Sequence, residues 1–76
     1  MLRIESKRKI CNQVVEGEII WWGVPFAPMR VIYKKPTNVY EGTSRIYSLL
    51  VEFGPHNFRW YVSLLENHRV LVLSVE

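Results

Sequence analysis

Residues 49–64, LLVEFGPHNFRWYVSL, decide the fold. Read as two strands joined by Gly54-Pro55-His56-Asn57, the stretch pairs with itself residue by residue. With Phe53 opposite Phe58, Val51 faces Trp60, Leu49 faces Val62 and Tyr47 faces Leu64, so one face is wholly apolar. On the other face Glu52 falls opposite Arg59, Leu50 opposite Tyr61 and Ser48 opposite Ser63. Strand side chains alternate, and a slip of one residue would exchange the two faces, so this agreement pins the register. Aromatic–aliphatic and opposite-charge pairs across strands each add roughly 0.2–1 kcal/mol. A helix competes over residues 44–53, because Ile46, Leu49, Leu50 and Phe53 also stand at helical spacing. Gly54-Pro55 would even end that helix. The cross-strand agreement selects the strand.

Outward from this hairpin, residues 69–76, RVLVLSVE, continue the pattern. Setting Glu66 opposite Arg69 brings Leu64 to Leu71, Val62 to Leu73, Trp60 to Val75 and Arg59 to Glu76. Trp60 then stands at the centre of the core. Residues 65–68 form a tight turn or one turn of 3₁₀ helix, with Asn67 tolerant of the positive φ of a reversal.

On the other side, residues 36–43, PTNVYEGT, are rich in turn formers and read as a loop. Residues 29–35, MRVIYKK, alternate Met29, Val31 and Tyr33 against Arg30, Ile32 and Lys34, one face toward the core and one carrying cations. Prolines 25 and 28 forbid regular pairing over residues 23–28. Residues 14–22, VVEGEIIWW, are β-branched and aromatic, with Gly17 marking a bulge or bend. Residues 2–5 alternate and read as a short edge strand. The expectation is an all-β chain: one small SH3-like barrel of five to six short antiparallel strands over residues 1–76.

Composition sets the outer limits. Seventy-six residues make one domain near the lower end of what folds without staples. The one cysteine, Cys11, cannot form an intramolecular disulfide and reads as a buried small hydrophobe. The start, MLRIESKRKICNQ, lacks the apolar segment of a signal peptide. No apolar run approaches the ~18 residues of a membrane span. These features predict a soluble intracellular protein, cytoplasmic or, in a eukaryote, nuclear. Hydrophobic residues are 49% and aromatics 13%. So small a domain cannot hide that much apolar surface, which predicts an exposed patch and a protein partner or homo-oligomer.

Ten Lys/Arg stand against seven glutamates and no aspartate, for a net charge of +3. This balance suits DNA or RNA, bound without sequence preference. The candidate phosphate contacts are Lys7, Arg8 and Lys9, a compact basic cluster, with Arg30, Lys34 and Lys35. The cluster also reads as lysines guarding a sheet edge. Trp21 and Trp22 are adjacent, so in a strand they point to opposite faces and one leaves the core. Trp21, Trp22 and Phe26 beside the proline loop, and Leu50 with Tyr61 on the outer face joined by Val72 through Ser63, are the candidate partner contacts.

Catalytic chemistry finds little footing. His56 and His68 read as turn residues, and a metal site would need ligands the chain hardly has. The serines lack an Asp–His pair, and no phosphate-binding glycine loop occurs. No cofactor, small-molecule substrate or membrane is expected.

At residues 17–32 and 51–67 the chain resembles the PWWP domains, Tudor-like chromatin readers built on an SH3-like barrel. Their glycine, apolar-Trp strand and Pro-Trp-Trp-Pro loop are matched by GEIIWWGV, Pro25-Phe26-Ala27-Pro28 and Met29-Arg30-Val31. Their later strand pair is similar to VEFGPHNFRWYVSLLEN. Two positions of the family's methyl-lysine cage are Val24 and Ala27 here, leaving Phe53 at a cage-like place. What the resemblance implies is therefore the barrel and a basic surface for the DNA backbone, on Arg30, Lys34 and Lys35. Residues 58–61 with 64–66 also resemble the Val-Gln-Ile-Tyr segment of the plasmid-borne type II dihydrofolate reductases, small tetrameric enzymes, though only the tyrosine matches. Two functions follow, a nucleic-acid-binding barrel and a protein-interaction or self-assembling module, with a small oligomeric enzyme third.

Overall fold

The hairpin expected at residues 49–64 is present in the computed structural model, which describes residues 3–23 and 27–75. β4 (Ser44–Phe53) and β5 (Phe58–Leu65) pair antiparallel from Ile46–Leu65 to Phe53–Phe58 without a shift. Every cross-strand pair read from the sequence is made. The turn between them needs left-handed backbone at both ends, supplied by Gly54 (φ 78°) and by Asn57 (φ 54°). Asparagine is among the few side chains that tolerate this region. The left-handed asparagine is thus Asn57 and not Asn67.

Four further strands complete one antiparallel sheet: β1 (Ile4–Ile10), β2 (Ile19–Trp21), β3 (Met29–Glu41) and β6 (Arg69–Val75). Their order is β1-β6-β2-β3-β4-β5. A 3₁₀ turn, Cys11–Gln13, follows β1. The chain is all-β, as expected, and its last strand comes back beside β2. The sheet curls but stays open, with β1 and β5 as its two edges.

That order overturns one expectation. β6 does not continue the hairpin beside β5; it lies between β1 and β2, with Lys7 opposite Val72 and Val72 opposite Ile20. The reason lies in β6 itself. Val70 and Val72 are buried in the core while Leu71 and Leu73 are half-buried on the opposite side. A strand apolar on both faces is best satisfied with a neighbour on each side. Consequently Trp60 has no strand beyond it and is 53% exposed, at the rim and not the centre of the core. The expected pairings of Trp60 with Val75 and of Val62 with Leu73 are not made.

The core is Ile20, Met29, Val31, Leu49, Val51, Leu64, Val70 and Val72, closed at one end by Cys11 and Val14. Trp22, Tyr47, Phe53 and Val62 pack around it. Cys11 is fully buried, as expected for a small hydrophobe, and burial pushes its thiol up despite nearby Lys34. The bulge or bend expected at Gly17 is present: Gly17 (φ 91°) and Glu18 both stand opposite Val31, with Gly17 N–H donating to Val31 O and Val31 N–H donating to Glu18 O.

β3 departs most from its sequence reading. Its pairing with β4 shifts between Val31 and Tyr33 and again between Pro36 and Tyr40. The first shift makes Ile32 an extra residue, so parity reverses: Tyr33 shares the outer face with Leu50, and Lys34 shares the inner face with Leu49. Residues 36–41 are strand and not loop, and the reversal comes only at residues 42–43. Pro36, which cannot donate to a ladder, sits just before the second shift. Thr37 Oγ1 donates to Ile46 O at 2.6 Å there. The resulting β3–β4 arm contributes to a molecule measuring 45 × 26 × 22 Å.

Candidate nucleic-acid interface

The six cations singled out in the sequence do not share one face. Directly opposed residues of an antiparallel sheet project to the same side, so register sorts them. Lys7 and Lys9, opposite Val72 and Val70, lie on the core side, as does Lys34. Arg8 is opposite Leu71, Arg30 is opposite Glu52, and Lys35 is opposite Ser48; these three lie on the outer side.

Two of the inner cations are consumed internally. Lys34 Nζ donates to the carbonyl oxygens of Cys11, Asn12 and Val14 at 3.1, 2.9 and 2.6 Å. It also stands 5.1 Å from the centre of the Tyr47 ring, whose hydroxyl donates to Asn12 Oδ1 at 2.9 Å. A lysine thus gathers three carbonyls at the end of the 3₁₀ turn, of which Cys11 O also accepts the Val14 N–H. Lys9 Nζ pairs with Glu18 Oε2 at 3.1 Å. Burial alone would raise the Glu18 carboxyl, but the Val15 N–H, Lys9 and Lys34 outweigh it and hold the group below its usual value. Neither lysine is a spare phosphate ligand. Lys7 stays exposed in an edge strand, which is where the edge-guarding reading put it.

The outer side gathers a different set. The sequence reading left out two arginines that join it: Arg69, opposite Ile10 in the same parity as Leu71, and Arg59, opposite Glu52. Arg59 Nε donates to Glu52 Oε2 at 3.1 Å, the pairing expected from sequence. The outer face of the sheet strands therefore carries Arg8, Arg30, Lys35, Arg59 and Arg69 against two carboxylates, Glu52 and, at the far end of β3, Glu41. The signal for Arg69 was hidden, because it depends on β6 lying beside β1.

The tryptophans divide as adjacent strand residues must. Trp22 turns toward the core and meets His68 edge to face, ring centres 5.9 Å apart. Trp21 is half-buried on the outer side opposite Leu71. Arg8, Trp21, Trp22, Gly23, Arg69 and Leu71 line an open cleft of about 320 Å³. Arg30 and Glu52 line a second depression with Phe53 and Asn57. Phe26 and the cage-like position Val24 lie outside the described residues.

The Leu50–Tyr61 pair of the outer face is present, but Val72 does not join it; Val72 is core. Its third member is Tyr33, brought over by the reversal at Ile32. The Tyr33 and Tyr61 hydroxyls lie 3.0 Å apart across Leu50, and that bond raises the Tyr33 phenol. On the inner side of the same hairpin, Phe53 packs edge-on to Trp60 at 5.5 Å and lies 6.2 Å from Phe58. Among the described residues no three His, Cys, Asp or Glu side chains gather as metal ligands, and no helix is long and apolar enough to cross a membrane.

Comparison with known protein families, curated proteins and solved structures finds no match. The chemistry of the outer face therefore stands on its own residues. Guanidinium groups that share a cleft with a half-buried indole can hold phosphate oxygens while the ring takes the face of a base.

Proposed function

We propose that the protein is a small binding module that holds the nucleic-acid backbone across its outer face, without sequence preference. The observation that carries this reading is the charge of that face: five cations against two carboxylates, with Arg8 and Arg69 at Trp21 in one cleft. Backbone recognition is a matter of such neutralisation, and each phosphate contact releases counterions. Stacking on Trp21 would add about 1–3 kcal/mol per base, which favours single strands over duplex. The likeness to the PWWP and Tudor-like barrels supports the same reading, with Arg30 and Lys35 carrying the basic surface and Lys34 withdrawn from it.

Labelled single strands and duplexes, titrated from low to moderate salt, test the proposal. Binding should weaken steeply with salt, and replacing Arg8 and Arg69 together by alanine should lower the salt slope by roughly one unit per arginine, with no loss of folding. No binding even at ~50 mM salt, where electrostatic contacts are strong, sinks the reading. So does a double variant whose slope is unchanged.

A further inference from the structure

An edge strand offers a row of unpaired backbone donors and acceptors to whatever can add a strand. The protein has two such edges, and they are treated differently. β1 carries Glu5, Ser6, Lys7, Arg8 and Lys9 in succession, the charged dressing that keeps another strand away. β5, FRWYVSLL, carries one charge, Arg59, and Glu52 already pairs with it. β5 has no proline, and its pairing with β4 runs without a bulge, so nothing twists the edge away. Phe58, Trp60 and Tyr61 on it are 59%, 53% and 64% exposed. The rings are also held in place, Trp60 against Phe53 on the inner side and Tyr61 against Tyr33 on the outer.

We infer that β5 is a self-association edge: two copies of the chain join antiparallel through it, about a two-fold axis at Tyr61, into one continuous twelve-stranded sheet. The occupant follows from complementarity. Two β5 strands related in this way set Tyr61 opposite Tyr61, Trp60 opposite Val62, Phe58 opposite Leu64 and Arg59 opposite Ser63, each pair on a common face. Apolar meets apolar and no cation meets a cation, although the protein carries a net charge of +3. Shifting the partner by one residue would set inner side chains against outer ones, which the pleat forbids. A β1 edge is the poorer partner, since strand addition there would take its run of charges, Glu5 and Lys7 to Lys9, out of water. The two-fold axis also keeps both outer faces on one side of the joined sheet.

Sedimentation of the protein alone, from low to high micromolar concentration, tests the inference without any nucleic acid, so its failure leaves the phosphate reading untouched. The native chain should pass from monomer to dimer. Tyr61→Lys places two ammonium groups opposite each other and should leave a monomer throughout. Because Tyr61 is a surface residue, strand content and the thermal midpoint should show that the variant folds. Tyr61→Cys should form an interchain disulfide on oxidation, since position 61 faces itself, and Lys7→Cys should not. A native chain that is monomeric at every concentration overturns the inference. A dimer that survives Tyr61→Lys, or that captures Lys7→Cys as readily as Tyr61→Cys, overturns it too.

Discussion

The two edges of the sheet are anchored by different physics. β5 is held by apolar burial: behind it stand Leu49 and Val51 of β4, both wholly buried, and its own Leu64. β1 is followed by buried Cys11, but its flank is held by charge, with Lys9 on Glu18 and Lys34 on the carbonyls of the turn that follows. The same division appears outside, where β5 shows rings and β1 shows cations. An edge anchored by burial can leave its outward side apolar. One anchored by ions needs charged residues nearby in any case, and those residues also repel a visiting strand.

Four substitutions would break or sharpen this contrast. The largest effect is expected at Leu49→Ala, which opens a cavity directly behind β5 and should cost about 2–5 kcal/mol in urea unfolding. Ile4→Ser, on the exposed start of β1, should change stability by no more than ~0.5 kcal/mol. Comparable losses at the two positions would mean that β1 is anchored as deeply as β5. Next comes Lys34→Met, which keeps the aliphatic stem but takes the cation from the carbonyls of Asn12 and Val14 and leaves Cys11 O with the Val14 N–H alone. A loss of about 1–3 kcal/mol is expected, with the salt dependence of nucleic-acid binding unaltered. A reduced salt slope in this variant would return Lys34 to the phosphate contacts.

The smallest effect concerns acid. Glu18 has a folded pKa below its unfolded value, so its contribution is complete above the unfolded value and is lost as pH falls through the folded one. Stability should therefore decline below the ordinary range of a glutamate. Glu18→Gln should remove part of that decline, at a cost near neutrality of roughly 0.5–1 kcal/mol. An acid limb identical in the variant would show that the ion pair with Lys9 does not hold β1.

What was legible in the sequence was what adjacent strands write into each other. The β4–β5 register could be read in full, because both strands and their turn lie within one stretch and every pair is chemically matched. The place of β6 could not be read this way, since its partners come from far earlier in the chain. A signal did exist: residues 70–73, VLVL, are apolar on both faces, which suits an inner strand better than one appended to the hairpin. The inward turn of Lys34 had no such mark. It follows from an extra residue at Ile32, where nothing punctuates the run MRVIYKK. The outer cation set suffered from both gaps, because Arg69 needs the true place of β6 and Lys34 had to be removed.

The position of β6 also bears on how the protein is made. Its strand slots between two that precede it by dozens of residues, so β1 acquires its neighbour in the sheet after the rest of the meander has been synthesised. Until then the amino-terminal segment waits, and closing so long a loop slows folding. A ribosome-bound chain halted before residue 69 should carry the β3–β4–β5 meander formed and residues 4–10 still digestible by protease.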